Sequence, residues 1–512
     1  MTQRETQAKA YDVVIYGATA SGVTAAVAAA GEGLRVALLE PSGHVGGMVS
    51  GGLGWTDLGH HEVIGGLALE FYRRVGRAYG VPAFSYAGPE PKVAERIFGE
   101  WLEEAGVVVH FGYRLEGVQK EGRRISGVTA GAGVYEAQVF IDASYEGDLA
   151  ARAGVSYAVG RESTRKYGES WAGRQPWRPH KHTFDVVISP FRDDHERDLL
   201  PLMHERPLAA VGEGDGAVQA YGFRLCLTRD PDNRLPFPQP AGYDPGRYEL
   251  LRRYLAAKGS ALRAGQLLGL TPNLPNGKCD ANSIGPLSTN LLDGSNWAYP
   301  DADAEAREAI WERHLHYTQG LLYFLSHDPS VPMPIREELG EWGLCRDEFV
   351  DTQGWPHQLY VREARRIVGE YVLTQHDLET RRVKYDGVGM GSYHIDVREV
   401  QRSWDYVHAH PRLLPAAFNE GYLSVPVEPY EIPYRALVPG YHECENLLVP
   451  VCLSASHVAF ASVRMEPQFM ILGHSAGVAA AMAVRERLPV QQLSIAALRR
   501  RLRAQGQVLS LA

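Results

Sequence analysis

The sequence predicts an α/β fold: a doubly wound domain assembled from both ends of the chain and interrupted by a large inserted α+β region. Three observations predict it. The N-terminal segment alternates an apolar, β-branched run at 11–16, a glycine turn, an Ala-rich helix at 23–31 and a second apolar run at 34–39. That is the pattern of parallel strands buried on both faces. Apolar strands return after about residue 430 and lead into a Gly/Ala-rich helix at 470–488. Between them the composition shifts: Trp, Pro and His crowd 171–190, a Pro-rich loop fills 236–245, and amphipathic helices lengthen, most clearly at 302–325. The expected division is 11–160 and 431–490 for the two parts of the doubly wound domain, 161–430 for the insertion, and 491–512 for a C-terminal tail.

Within the first part, 67–79 and 93–105 read as helices. In the second of these, Val93, Ile97 and Trp101 recur at i+4 beside Ala94, Phe98 and Leu102, giving a wide apolar face. The run 107–111 reads as another buried strand, and 115–120, 125–130 and 134–141 as a meander turning at Glu121-Gly122. The 512 residues suffice for two or three domains at about 100–200 residues each. With 45% hydrophobic and 22% charged residues, disordered and fibrous classes are excluded. A net charge of −9 argues against a broad nucleic-acid-binding surface, and the basic run from Arg362 to Arg366 is too short to reverse it. Five scattered cysteines without a CxxC pair give neither a disulfide framework nor a structural zinc site, so reduced thiols in the cytoplasm are expected. The opening MTQRETQAKA lacks the apolar core of a signal peptide. The stretch 469–484 contains Gly, His and Ser and reads as a buried helix, so no membrane partner is expected.

Three motifs point to chemistry. Gly17-Ala-Thr-Ala-Ser-Gly22 sits between strand and helix, where a dinucleotide fingerprint G-x-G-x-x-G belongs, with Thr19 in place of the middle glycine. That glycine lets backbone approach a pyrophosphate, so Thr19 asks for a slightly wider fit. Glu40 ends the next strand 23 residues after Gly17, where a carboxylate binds ribose hydroxyls. N–H groups at the start of the helix would face the phosphates. The second motif, 43–54, holds six glycines in twelve residues, which excludes a stable helix and leaves a loop on which a flat ligand can lie against backbone. The third, Ile141-Asp-Ala-Ser-Tyr-Glu-Gly-Asp-Leu149, is a strand exit whose small residues suit close cofactor approach.

These motifs resemble the FAD-dependent oxidoreductases of the glutathione-reductase type. YDVVIYGATASG, Glu40, HVGGM and IDASYEGDLAARAG carry the resemblance at one end; IPYRALV, NLLVPVCLSASH, SVRMEP and GHSAGVAA carry it at the other, with VREARRIVGE between them. The subgroup most resembled is labelled "xanthan lyase-like", although polysaccharide elimination itself needs no redox cofactor. The resemblance implies FAD rather than NAD. By it, Gly17, Thr19, Ala20, Ser21, Gly22 and Glu40 hold the ADP half, and Gly46, Gly47 and Met48 pass beneath the pyrophosphate and flavin. The Leu115 backbone meets adenine, Ala143, Gly147 and Asp148 line the phosphate side, and Gly473 to Gly477 close the site. Met465 and Glu466, opening the last helix, serve the flavin pyrimidine ring, where the helix dipole stabilises negative charge.

The activity this implies is hydride transfer between the flavin and a small polar substrate, hydroxylated and carbohydrate-like by the family label and the aromatic-rich insertion. Reduction of an activated C=C bond and flavin binding without turnover are the alternatives. His457, in a small-residue stretch before the last helix, is the leading proton acceptor; its competing reading is a buried histidine bonded to backbone. Arg464 and Glu466 follow as substrate or flavin contacts, or as an ion pair capping the helix. Arg362, Glu363, Arg365 and Arg366 form a charged run that reads either as a solvated face or, set beside Val361 and Ile367, as partly buried, with two inward arginines clamping a polar substrate. His394, with Tyr393 and Asp396, and the loop 276–282, with Lys278 and Asp280, are expected at the same pocket. No metal-ligand spacing stands out, and His180 and His182 read as surface residues.

Overall fold

β1 (Lys9–Tyr16) starts the central sheet of the computed structural model, which describes residues 9–131, 133–193, 198–380, 383–409 and 412–511. The polar leader at 1–8 lies outside the described residues. α1 (Ala20–Gly31) returns the chain to β2 (Val36–Glu40), parallel to β1. α2 (Gly66–Tyr79) stops at Gly80, whose φ of +67° suits the left-handed cap that glycine supplies. α3 (Pro91–Glu104) starts on a proline, which forfeits only an N–H that the first turn leaves unpaired. β3 (Val108–Phe111) then pairs parallel with β2. A buried strand was expected here. Val108 and Phe111 are instead 50% and 46% exposed, because β3 is the outermost strand and has one neighbour.

β4 (Leu115–Glu121), β5 (Arg124–Ala130) and β6 (Gly133–Asp142) form the antiparallel meander, and β6 runs parallel beside β1. β5 pairs only with the first part of β6. β7 (Leu447–Leu448), from the far end of the chain, pairs parallel with its second part, Leu447 opposite Phe140. Five strands thus run parallel in the order β3-β2-β1-β6-β7. Val13, Val14, Ile15, Ala37, Leu38 and Leu39 are buried on both faces, which is why these runs show no alternation.

The middle of the chain builds an antiparallel sheet from Leu225–Thr228, Arg234–Leu235, Cys279–Ala281 and Gly343–Cys345. It adds the long helix α4 (Ala304–His327), capped by Asp303, and a hairpin of Gln401–Ala409 with Arg412–Glu420. All five cysteines are buried and free. α5 (His457–Val463) leads into α6 (Glu466–Glu486), and α7 (Ile495–Ala504) occupies the expected tail, where Leu498 and Leu502 are buried. Gln507 ties this end down, its Nε2 donating to Ile471 O at 2.9 Å. α6 is long and apolar enough to cross a membrane, but here it is buried in the core.

Glycines set how closely α6 approaches α1. A Cβ at Gly473 would lie 2.1 Å from Ser21 O, and one at Gly477 2.4 Å from Ala25 O. These two residues were expected to close a cofactor site. They face the α1 backbone instead, Gly473 directly against Ser21; their smallness serves helix packing.

Candidate active site

The carboxyl ends of β1, β2 and β6 open on a cleft of about 350 Å³, the place where a doubly wound sheet takes its ligands. Gly17 leaves β1 at φ +95°, and a Cβ there would lie 2.7 Å from Ser144 N, so the turn can sit against the β6 exit only without a side chain. Thr19 is the N-cap of α1. Its Oγ1 accepts from Gly22 N–H at 3.2 Å and donates to Ala143 O at 2.8 Å. The hydroxyl therefore caps the helix and pins it to β6, a role the fingerprint comparison did not anticipate. Ala20, Ser21, Gly22, Ala143 and Gly147 stand behind the cleft wall rather than in it. Gly22 packs on the turn itself, where a Cβ would be 1.9 Å from Gly17 O, and a Cβ at Gly147 would be 3.2 Å from Cys452 Cβ.

Glu40 lines the cleft, its two oxygens accepting from Ala18 N–H at 2.7 Å and Ser42 N–H at 2.8 Å. Each oxygen keeps acceptor capacity for another donor. Burial raises the Glu40 carboxyl above its ordinary value. Leu115 lines the opposite side, its N–H donating to Tyr16 Oη at 3.3 Å. Asp148 faces the same space and is held by Arg307 at 2.6 and 2.9 Å and by Arg365 at 2.8 Å. Arg307 belongs to the first turns of α4, which also bring Trp311 over the cleft.

The glycine-rich loop leads away from this cleft as a packed segment. Gly46 N–H donates to Ala18 O at 2.7 Å. A Cβ at Gly47 would lie 2.5 Å from Tyr145 Oη, one at Gly51 2.3 Å from Gln358 Cβ, and one at Gly52 2.2 Å from Arg224 O. Met48 N–H donates to Tyr145 Oη at 2.9 Å, and that hydroxyl donates to Glu466 Oε1 at 2.7 Å. Met465 is the buried N-cap position of α6. Glu466 Oε2 and both polar atoms of Gln468 are buried without a hydrogen-bond partner. Such groups are rare in native proteins and mark a place for a missing polar partner. A cleft with an acid for ribose and orphaned groups at a helix N-terminus fit FAD, whose pyrimidine edge carries donors and acceptors.

Burial pushes Glu466 from its ordinary 4.5 up to about 8. A carboxyl that keeps its proton when folded but loses it when unfolded contributes stability that declines as pH rises from the unfolded to the folded value. Cofactor-free protein is therefore expected to lose melting temperature between about pH 5 and pH 8 relative to Glu466→Gln. Parallel melting curves for the two proteins across that range would contradict it.

The expected catalytic residues fall into two adjoining buried networks. In one, His457 opens α5, with Nδ1 2.9 Å from Glu363 Oε2 and its backbone N–H donating to Glu162 Oε2 at 2.9 Å. Burial alone would raise Glu363, but His457 and Arg366 outweigh it and hold the carboxyl down to about 2. A carboxylate at Nδ1 favours the tautomer with the proton there, leaving Nε2 a lone pair. Among the described residues no group hydrogen-bonds Nε2. In the other network, Arg464 donates to Tyr360 Oη at 3.1 Å and Asp396 O at 2.7 Å, and Arg362 lies 4.2 Å over the Tyr360 ring and donates to Ala220 O. His394, partly exposed, packs at a tilt against Tyr393 and stands 3.8 Å from Asp396. Gln219 links the networks: its N–H donates to Glu363 at 2.8 Å, and its side-chain oxygen accepts from Arg398 N–H at 3.0 Å.

Four expectations are corrected. Arg464 and Glu466 do not pair with each other; their partners are Asp396 and Tyr145. Arg365 and Arg366 turn away to Asp148 and Glu162. Lys278 is a buried ammonium 2.6, 2.8 and 2.6 Å from Glu90, Asp347 and Glu348, so the acidic trio that could hold a cation is filled by a lysine. His182 is buried, its Nε2 2.8 Å from Arg398 Nη1, and burial pushes its pKa down to about 4.

A profile of the family described as FAD dependent oxidoreductase matches residues 12–502. No match was found among curated proteins. Among solved structures, the flavin-dependent brominase Bmp2 is 18% identical over 30% of this chain and 42% of that one, with a TM-score of 0.23. L-amino acid deaminase from Proteus vulgaris is 14% identical over 32% and 55%, with a TM-score of 0.25. L-proline dehydrogenase from P. horikoshii is 16% identical over 31% and 59%, also at 0.25. The chain thus spans about half the length of these structures. The protein is an oxidoreductase enzyme with FAD as its cofactor: by the match across 12–502, the chain belongs to the FAD-dependent oxidoreductase family.

Proposed function

We propose that this enzyme moves a hydride between a small, polar, hydroxylated substrate and its flavin. The FAD sits in a Rossmann-type domain formed by 11–160 and 431–490, and 161–430 supplies the substrate side. One observation carries the reading: Tyr145, which lines the Glu40 cleft, binds both Met48 N–H of the glycine-rich loop and Glu466 at the start of α6, where Glu466 Oε2 and Gln468 are left without partners. Bound FAD supplies the hydride acceptor. His457 Nε2 takes the alcohol proton, and Glu363 holds the imidazole in that tautomer and stabilises its cation. Arg362 and Arg464 hold the substrate's polar groups. The cytoplasm as its setting, a small molecule as its partner and no role for nucleic acid or membrane are in keeping with the −9 charge and the free thiols. The "xanthan lyase-like" label adds no argument for the substrate.

Anaerobic titration tests this. A sugar, polyol or hydroxy acid is expected to bleach the bound flavin. If none does and an unsaturated acid instead reoxidises the reduced flavin, the reaction runs as C=C reduction, with a histidine as the proton source. Inertness to both would leave a flavin-binding protein without turnover.

A further inference from the structure

Four arginines from separate segments meet in one buried cluster: Arg224, Arg362, Arg398 and Arg464 are 6, 5, 6 and 4% exposed. The segment 219–224 supports them. Ala220 O accepts from Arg362, the Gln219 side chain accepts from Arg398 N–H, and Gly222 O accepts from Tyr360 N–H at 3.0 Å. Three have acidic partners. Arg224 pairs with Asp280 through two bonds of 2.7 and 2.6 Å, Arg464 with Asp396 at 3.3 Å, and Arg398 lies 3.5 Å from Glu399. Asp57, which adjoins Arg224 and Arg464, is pushed up by burial toward its neutral form.

Arg362 has no such partner. Among the described residues it has one carbonyl and one aromatic ring, and no carboxylate reaches it. A guanidinium cannot shed its proton to escape this. Burial and the guanidiniums of Arg398, Arg464 and Arg224 together pull Arg362 down to about 9, as expected of an unbalanced charge. Donors outnumber acceptors among the orphaned groups: Arg464 Nε, Arg398 Nε and Gln219 Nε2 are buried without hydrogen-bond partners, against the single acceptor Glu399 Oε1. Arg362 lacks an anion.

Resting on the flavin reading above, we propose that this cluster seats a carboxylate of the substrate, with Arg362 as its counter-ion, so that the enzyme acts on a small hydroxy or unsaturated carboxylic acid and not on a neutral sugar. The planar fork of a guanidinium matches a planar carboxylate. One uncompensated positive charge is balanced by one carboxylate, whereas a phosphate dianion would reverse the imbalance.

The test uses the purified holoenzyme with glycolate, succinate and fumarate as probes against glycerol and inorganic phosphate. The flavin spectrum and melting temperature are read in the wild type, Arg362→Met and Arg362→Lys. The carboxylates are expected to perturb the flavin spectrum saturably and raise the melting temperature, while glycerol and phosphate do neither. Arg362→Met should weaken carboxylate binding about tenfold to a hundredfold, and Arg362→Lys should restore part of it. Without ligand, Arg362→Met should melt no lower than wild type, because it removes a buried charge that has no partner. The proposal is overturned if yellow enzyme ignores the carboxylates, prefers phosphate, or responds equally in Arg362→Met. It is also overturned if Arg362→Met melts well below wild type without ligand, which would make the arginine a structural support. Colourless protein that is still stabilised by the carboxylates would sink the flavin reading and leave this one standing.

Discussion

His457→Gln is expected to slow reduction of the bound flavin by substrate by about 10²–10⁴-fold, the usual loss on removing a general base. Glutamine can still donate to Glu363, so the buried carboxylate keeps a partner, but no basic lone pair remains where Nε2 stood. Alanine is the poorer probe, since stripping one member of a buried pair costs about 3–5 kcal/mol and mixes stability with rate. Melting temperature, flavin content and anaerobic reduction rate should be measured on one preparation. A stable, yellow His457→Gln protein reduced at the wild-type rate would make His457 a support for Glu363 and Glu162. The search for the proton acceptor would then move to His394.

Glu40→Ala is expected to weaken FAD binding about tenfold to a hundredfold, from charge-assisted hydrogen bonds worth about 1.5–3 kcal/mol. The carboxylate stands in the cleft with both oxygens already anchored by Ala18 and Ser42 N–H groups, so its orientation is fixed before a ribose arrives. Titrating the apoprotein with FAD measures the loss. Unchanged affinity would show that Glu40 only pins the turns of Ala18 and Ser42.

What the sequence disclosed follows the range of the interactions involved. The strand–turn–helix–strand unit at 9–40 was legible because every signal in it is local: β-branched runs, a glycine turn and an acid at a strand end. The meander was legible for the same reason, with Gly122 at φ +61° in its turn. β3 was misread because an apolar run carries no mark of being outermost. Gly473 and Gly477 were misread because glycine serves close helix packing as readily as close cofactor approach, and only the partner's position separates the two. Arg307 on Asp148, Tyr145 on Glu466 and Arg464 on Tyr360 left no local trace. Each contact joins residues more than 100 positions apart, and nothing in the flanking sequence encodes the partner. The buried state of Arg362 was partly legible, since charged residues set beside Val361 and Ile367 imply burial, whereas its lack of a counter-ion was not.

The most direct test of the account is the identity of what the purified protein carries in the cleft that Glu40 lines. Denaturing the protein and analysing the supernatant should release FAD in about equal amount to the chain, from a preparation that was yellow beforehand. Colourless protein that cannot be reconstituted with FAD, but binds NAD, would contradict the account.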